Sequence, residues 1–317
     1  SKLPEPEAKS ATLMQASEKL QMPELGFGTF DNFDEPKYMA EAVKVALAHG
    51  YRHLDCAELY GTEDSVGSAI AESLTKEGLK RSDLFICSKV WCNHMRPDAV
   101  KKACLRSLQA LKTSYLDLYL IHWPAAWIGD KFFNDDGDFF VGEQDDVPIH
   151  ETWKALEGLV KDGLVRHIGV SNFGVSHLER LLSVCKIRPY CNQVEVHPHL
   201  VQEPLVAFCK KNDIRVVAFH PIGKPSHREL DQPIALKEPI IQEMAQVHSV
   251  SPAQIILRWH IQRGVHVIPK SCTAERIASN ARVFHFTLSD KEMAAISALN
   301  CDARFANPPW MDGIGFD

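Results

Sequence analysis

One rhythm constrains this 317-residue chain more than any other feature. A short apolar run is followed by a polar corner and an amphipathic helical pattern, and the cycle repeats. The runs are "LGFGT" at 25–29, "YRHLD" at 51–55, "LFICSK" at 84–89, "LDLYLIH" at 116–122, "RHIGV" at 166–170, "CNQVEV" at 191–196, "RVVAFH" at 215–220 and "VHVIPK" at 265–270. Strands that alternate with helices pair in parallel through right-handed crossovers. Eight such units close most naturally as an α/β fold of the (β/α)8 TIM-barrel type. The competing architecture is an open doubly wound sheet, which carries G-x-G-x-x-G after its first strand. Here that position reads "GFGTFD", without the third glycine.

The helical segments carry their own punctuation. "EPKYMAEAVKVALAHG" ends in Gly50, as helices often do, and "RPDAVKKACLRSLQAL" has Pro97 near its first turn, where a missing N–H costs little. In "SPAQIILRWHIQRG", Ser251 is the expected N-cap, Pro252 opens the helix and Gly264 follows its end. Residues 1–10 read as a flexible polar tail, 11–23 as a hairpin before the first strand, and 11–317 as a single barrel domain. Two long connections stand out, one after strand 4 (about 124–148) and one after strand 7 (221–239). Long connections without regular structure are often lids or binding loops. The first interleaves Trp127, Phe132, Phe133, Phe139 and Phe140 with acidic residues.

Composition narrows the function classes. The net charge is −6, with 35 basic against 41 acidic residues, which argues against a nucleic-acid binder. No apolar run has the length of a membrane span and no signal-peptide pattern opens the sequence, so a cytoplasmic protein, monomeric or weakly dimeric, is the expectation. The nine cysteines form no C-x-x-C pairs and read as free thiols in a reducing compartment.

The unusual polar residues fall at one place in the rhythm. Asp55, Lys89 and His122 end strands 2, 3 and 4, Ser171 and Asn172 follow strand 5, Gln193 lies in strand 6, Phe219 and His220 end strand 7, and Lys270 and Ser271 end strand 8. C-terminal strand ends converge on the bowl where barrel enzymes place their active sites. Tyr60 sits in the corner after strand 2. A phenol has a reference pKa near 10, and a neighbouring ammonium favours its ionised form. Lys89 is placed to lower the Tyr60 value, Asp55 to hold Lys89, and neutral His122 to orient a carbonyl oxygen. The set suits protonation of an oxygen that becomes an alkoxide, as hydride addition to an aldehyde or ketone requires. No side chain delivers hydride, so a nicotinamide cofactor is implied.

The segments "GYRHLDCAELYGTE", "FICSKVW", "YLIHWP", "GLVRHIGVSNF", "NQVEVHP" and "VIPKS" resemble the signature segments of the aldo-keto reductases, from about residue 12 to the C-terminus. By this likeness Asp55, Tyr60, Lys89 and His122 match the catalytic tetrad, with Tyr60 as proton donor. Ser171, Asn172 and Gln193 match residues that hold the nicotinamide carboxamide, and Phe219 matches an aromatic that stacks on its ring. Lys270, Ser271, Arg276 and Asn280 match the adenosine-phosphate end, which implies NADPH, with NADH as the weaker cofactor. Thr29, His220, Pro221 and Ile222 join the cofactor set, and Phe30, Trp91, Trp123, Trp127, Phe305 and Trp310 the substrate pocket. No metal ligands are implied. "DVPIHETWKALE", "LRWHIQRGV" and "ARFANPPW" look most similar to aldose reductases acting on open-chain sugars, especially the xylose-reducing branch. The sequence departs from the pattern at His220, where the subgroup usually has Ser, in "GKPSHRE", which lacks an acidic loop latch, and at Ser279, where an acid stands in the mammalian branch.

Two other readings remain open at this level. The "HPH" of His197–His199 could serve a metal-dependent barrel hydrolase, although no H-E-x-x-H occurs. A non-catalytic, cofactor-holding regulatory subunit is the other, and the filled tetrad positions count against it.

Overall fold

The computed structural model describes residues 20–30, 36–76, 78–129, 131, 143–224 and 233–308. The expected tail, most of the expected hairpin, the Phe132–Phe140 stretch and Trp310 lie outside the described residues. Eight parallel strands follow in chain order: β1 (Phe27–Gly28), β2 (His53–Asp55), β3 (Phe85–Val90), β4 (Leu116–Ile121), β5 (Val165–Ser171), β6 (Cys191–Glu195), β7 (Arg215–Phe219) and β8 (Val265–Val267). The barrel closes between β8 and the approach to β1. Leu25 bridges Val267 in parallel, Gly26 N donates to Val267 O at 2.7 Å, and Val267 N donates to Glu24 O at 2.8 Å. All eight expected strands are present, and the architecture is a (β/α)8 TIM barrel.

Helices fill the crossovers: α1 (Pro36–Ala48), α2 (Glu63–Lys76), α3 (Pro97–Ala110), α4 (Ile149–Lys161), α5 (Val175–Leu182) and α6 (Glu203–Lys211), with α7 (Pro239–Val247) and α8 (Pro252–Gln262) both between β7 and β8, and α9 (Ala274–Asn280) and α10 (Asp290–Ser297) following. Ser251 caps α8 as expected, accepting from Gln254 N while the Gln254 side chain returns to Ser251 N at 2.9 Å, with Pro252 in the first turn. Helix α7, which begins where the long segment after strand 7 ends, is not among the helical patterns picked out in the sequence. Its signal was there, because Pro239 opens the helix in the position proline prefers. Among the described residues, no helix is long and apolar enough to cross a membrane.

Strand parity positions the site. Successive side chains alternate between faces, so residues two apart share one. Leu54, Ile86, Val90, Tyr119, Ile121, Ile168, Val170, Val194, Val216 and Ala218 belong to the large cluster that joins barrel and helices. Phe85, Cys87, Leu118, Leu120, Cys191 and Val217 form a separate cluster inside the barrel. Continuing the inner series upward gives Lys89 after Cys87, His122 after Leu120, Gln193 after Cys191 and Phe219 after Val217. The polar residues are thus the top layer of an otherwise apolar barrel filling. Gly169 keeps that interior tight. A Cβ there would meet Cys191 O and Leu120 Cδ2, each at 2.8 Å.

Candidate active site

Lys89 is the hub of the top layer and is fully buried. An ammonium has three N–H donors, and all three find acceptors: Asp55 Oδ2 at 2.7 Å, Cys56 O at 2.9 Å and Tyr60 Oη at 3.0 Å. Each comes from the end of β2 or the 3-10 turn Glu58–Tyr60 just beyond it, so one corner of chain surrounds the Lys89 head group. A buried ion pair is tolerable only with such complete hydrogen bonding. Asp55 is fixed in turn. Its Oδ1 accepts from Gln193 Nε2 at 2.7 Å, and its backbone oxygen accepts from Thr29 N at 3.0 Å and Thr29 Oγ1 at 2.9 Å. Thr62 closes the loop by donating to Thr29 O at 3.1 Å.

The electrostatics follow from burial. Burial acts to lower the Lys89 pKa, but Asp55, Tyr60 and Cys87 outweigh it and the value is raised, so the side chain stays an ammonium. Burial pushes the Tyr60 phenol up to about 12, against the pull of Lys89. This corrects the expectation that Lys89 lowers it below the ordinary value: the ammonium acts in that direction, but desolvation of a buried phenolate is the larger effect. Tyr60 is therefore held as the protonated phenol at neutral pH. Burial, and then Lys89, hold His122 well below the ordinary histidine range, so its imidazole is neutral.

His122 stands beside the phenol, with ring centroids 5.7 Å apart at 78°. Its backbone N donates to Val90 O at 3.1 Å, and its carbonyl accepts from Asn172 Nδ2 at 2.9 Å. Its Nδ1 is buried without a hydrogen-bond partner among the described residues. Aromatic rings enclose this corner. Phe30 lies edge-on to Tyr60 at 5.1 Å, and Trp91 packs against His122 at 4.9 Å and against Trp127 at 5.8 Å. Trp123 joins the same cluster, while an isolated bridge from Trp127 to Gln144 ties down the long segment after β4. Phe305 packs against His197, just beyond β6, at 4.9 Å.

The residues expected to hold a cofactor occupy the rest of the rim, and several are already engaged with one another. Ser171 Oγ donates to Gln193 O at 2.8 Å and accepts from Asn172 Nδ2 at 3.2 Å. Asn172 and His220 have left-handed backbones, φ 62° and 45°, at the ends of β5 and β7. Such conformations cost energy in non-glycine residues and cluster at functional sites. Phe219, His220 and Ile222 are half-buried, whereas Pro221 and Asn280 are buried. Lys270 and Arg276 are exposed, and Ser271 Oγ accepts from Thr273 N at 3.1 Å. The sequence reading missed the link from Gln193 to Asp55 and overlooked Glu195, the next inward residue of β6. Parity along "CNQVE" was the signal that would have found it.

The histidines of "HPH" are bound to carboxylates, His197 Nε2 to Glu195 at 3.2 Å and His199 Nε2 to Glu238 at 2.8 Å. Among the described residues, no group of three or more His, Cys, Asp or Glu converges as a metal site would need.

Comparison with known proteins agrees with this geometry. Residues 24–301 match the model of the aldo/keto reductase family. Aldo-keto reductase family 1 member A1 of Bos taurus is 42% identical over 305 residues, which cover 95% of this chain and 92% of that one. Member A1-A of Danio rerio is 43% identical over 292 residues, covering 91% and 89%. Among solved structures, the aldose reductase from Schistosoma japonicum superposes with a TM-score of 0.84 at 39% identity, over 92% of this chain and 93% of that one. The metal-hydrolase alternative is not favoured, and the chain belongs to the aldo/keto reductase family of oxidoreductases.

Proposed function

We propose that the protein reduces aldehydes to alcohols with NADPH, using Tyr60 as the acid and Lys89, Asp55 and His122 to prepare it. One observation carries this reading: Lys89 Nζ donates to Tyr60 Oη at 3.0 Å. Because Oη accepts there, the phenol's own proton is left to point towards a substrate oxygen. Lys89 stabilises the phenolate left behind, and Asp55 keeps Lys89 oriented and charged. Neutral His122 offers a ring N–H to the same carbonyl oxygen and fixes its approach.

The rim residues fit a dinucleotide. Half-buried Phe219 supplies an aromatic face, Ser171, Asn172 and Gln193 supply amide and hydroxyl groups near the tetrad, and the exposed cations Lys270 and Arg276 lie by β8 and α9. When bound, NADPH supplies the hydride. Thr29, His220, Pro221 and Ile222 would line its path between these ends, and Ser271 and Asn280 would join the two cations at its adenosine. A guanidinium binds phosphate bidentately, so Arg276 with Lys270 favours the 2′-phosphate that distinguishes NADPH from NADH. Phe30, Trp91, Trp123 and Trp127 give the carbonyl substrate an apolar enclosure, with an aldose or small aldehyde as the substrate class. The nine free cysteines, six of them buried, suit a reducing compartment such as the cytoplasm.

The test is NADPH oxidation by the purified protein against aldehydes, ketones, pentoses, hexoses and sugar phosphates. Turnover of aldehydes with NADPH preferred over NADH is the expected result. No turnover of any carbonyl would overturn the reading.

A further inference from the structure

Glu63 opens α2 three residues after Tyr60 and is buried. The chemistry above does not use it. An acid suits the first turn of a helix, but this side chain turns into the sheet, where Ser88 Oγ donates to Glu63 Oε1 at 2.6 Å. Ser88 is fully buried on the outward face of β3, by the same parity that sends Cys87 and Lys89 inward. Ser107 of α3, also fully buried, stands beside it, with the two hydroxyl oxygens 3.5 Å apart. Burial is the largest influence on the Glu63 carboxyl and pushes its pKa up to about 7, against the pull of Ser88 and Ser107. Helix formation alone gives no reason to bury an acid in an apolar layer at that cost.

The layout around β3 supplies one. Three consecutive residues of this strand hold the corner that carries Tyr60. Cys87 O accepts from Cys56 N at 2.9 Å, Ser88 Oγ donates to Glu63, and Lys89 Nζ donates to Tyr60 Oη at 3.0 Å. The first bond extends the ladder between β2 and β3. The other two grip the corner from opposite faces of the strand, Lys89 from inside the barrel and Ser88 from the helix side. One turn along α2, Gly67 lets the helix seat on the end of α3, where a Cβ would run into Ala110 O. Before Tyr60, Glu58 is tied outward as well, accepting from Arg106 Nε at 2.9 Å and paired with His94 Nδ1 at 3.0 Å. Tyr60 therefore lies on a stretch of chain anchored on both sides of it.

We propose that Glu63 is a positioning residue for the proton donor: by locking the start of α2 onto Ser88, it sets the distance and direction of the Tyr60 hydroxyl relative to Lys89 and the substrate oxygen. This rests on the aldehyde-reducing function proposed above. The hold matters because a displacement of about 1 Å at a reacting group can cost about a hundredfold in rate.

Glu63→Leu tests it in the full chain. Leucine fills a similar volume in the apolar layer but leaves Ser88 without its acceptor. With glyceraldehyde, kcat should fall about tenfold or more, while KM for the aldehyde and Kd for NADPH stay within about twofold of wild type. Glu63→Gln keeps an acceptor for Ser88 Oγ and should recover most of the loss. In a Tyr60→Phe background, Glu63→Leu should cost nothing further, because its effect passes through the phenol. Exchange of the Tyr60 amide, which donates to Ala57 O at 3.0 Å, should speed up about tenfold. Should Glu63→Leu fail to fold, Ser88→Ala breaks the same bond and must lower kcat alone but not in the Tyr60→Phe background. An unchanged kcat, or a loss that adds in full to that of Tyr60→Phe, would overturn the proposal. A wild type that reduces no aldehyde would instead overturn the functional reading, and the role in catalysis with it, while amide exchange would still report the hold of Glu63 on the Tyr60 corner.

Discussion

The two ends of the rim are built in opposite ways. At the tetrad end, Asp55, Lys89 and His122 are buried on strand ends, and every donor of Lys89 is matched within 3.0 Å. At the β8–α9 end, Lys270 and Arg276 are exposed on the chain that leaves the barrel. The first end sets protonation states through desolvation, the largest of the causes that carry Tyr60 up to about 12 despite an adjacent ammonium. At the second, Lys270 and Arg276 stand exposed to solvent, where salt screens charge. On the function proposed above, chemistry draws on the first end and cofactor choice on the second, so mutations at the two ends should fail differently.

The largest effect is expected for Lys89→Met. It leaves Asp55 buried without its cation, which should cost about 3–5 kcal/mol of stability and abolish turnover. Denaturant unfolding beside steady-state kinetics checks both, and a stable, active variant would show that the hub is not the hub. At the other end, Arg276→Ala should raise KM for NADPH about tenfold or more, the worth of a charge-assisted hydrogen bond, with little change for NADH and unaltered stability. The wild-type NADPH preference should weaken as salt rises, because exposed charges are screened. Equal KM changes for the two cofactors would remove Arg276 from the phosphate site. The smallest effect belongs to neither end. Ser251→Ala removes the cap of α8 and should cost about 0.5–2 kcal/mol in unfolding without changing either KM.

The same contrast explains what could be read from the sequence. Each strand is continuous in the chain and its inward face repeats every second residue, so the eight strands and the convergence of Asp55, Lys89, His122 and Gln193 were legible. The Ser251 cap was legible because a cap is a local pattern. The bond from Gln193 to Asp55 and the grip of Glu195 on Phe305 and Ala306 join residues more than a hundred positions apart, and no local pattern announces them. The sign of the Tyr60 shift was misread for a related reason. The sequence shows that Lys89 is near, but not that the phenol is buried. The neighbours of Phe305, His197 and Gly223, likewise come from distant segments that no local pattern joins to it.

The central claim is that Tyr60 gives its proton to the substrate oxygen while Lys89 holds the phenol in place. Tyr60→Phe keeps the ring against Phe30 and His122 and removes only the hydroxyl. Measured with an aldehyde that the wild type reduces, alongside a fluorescence titration with NADPH, this variant should lose at least about a hundredfold in turnover while binding the cofactor as before. Near-normal turnover in Tyr60→Phe would contradict the account.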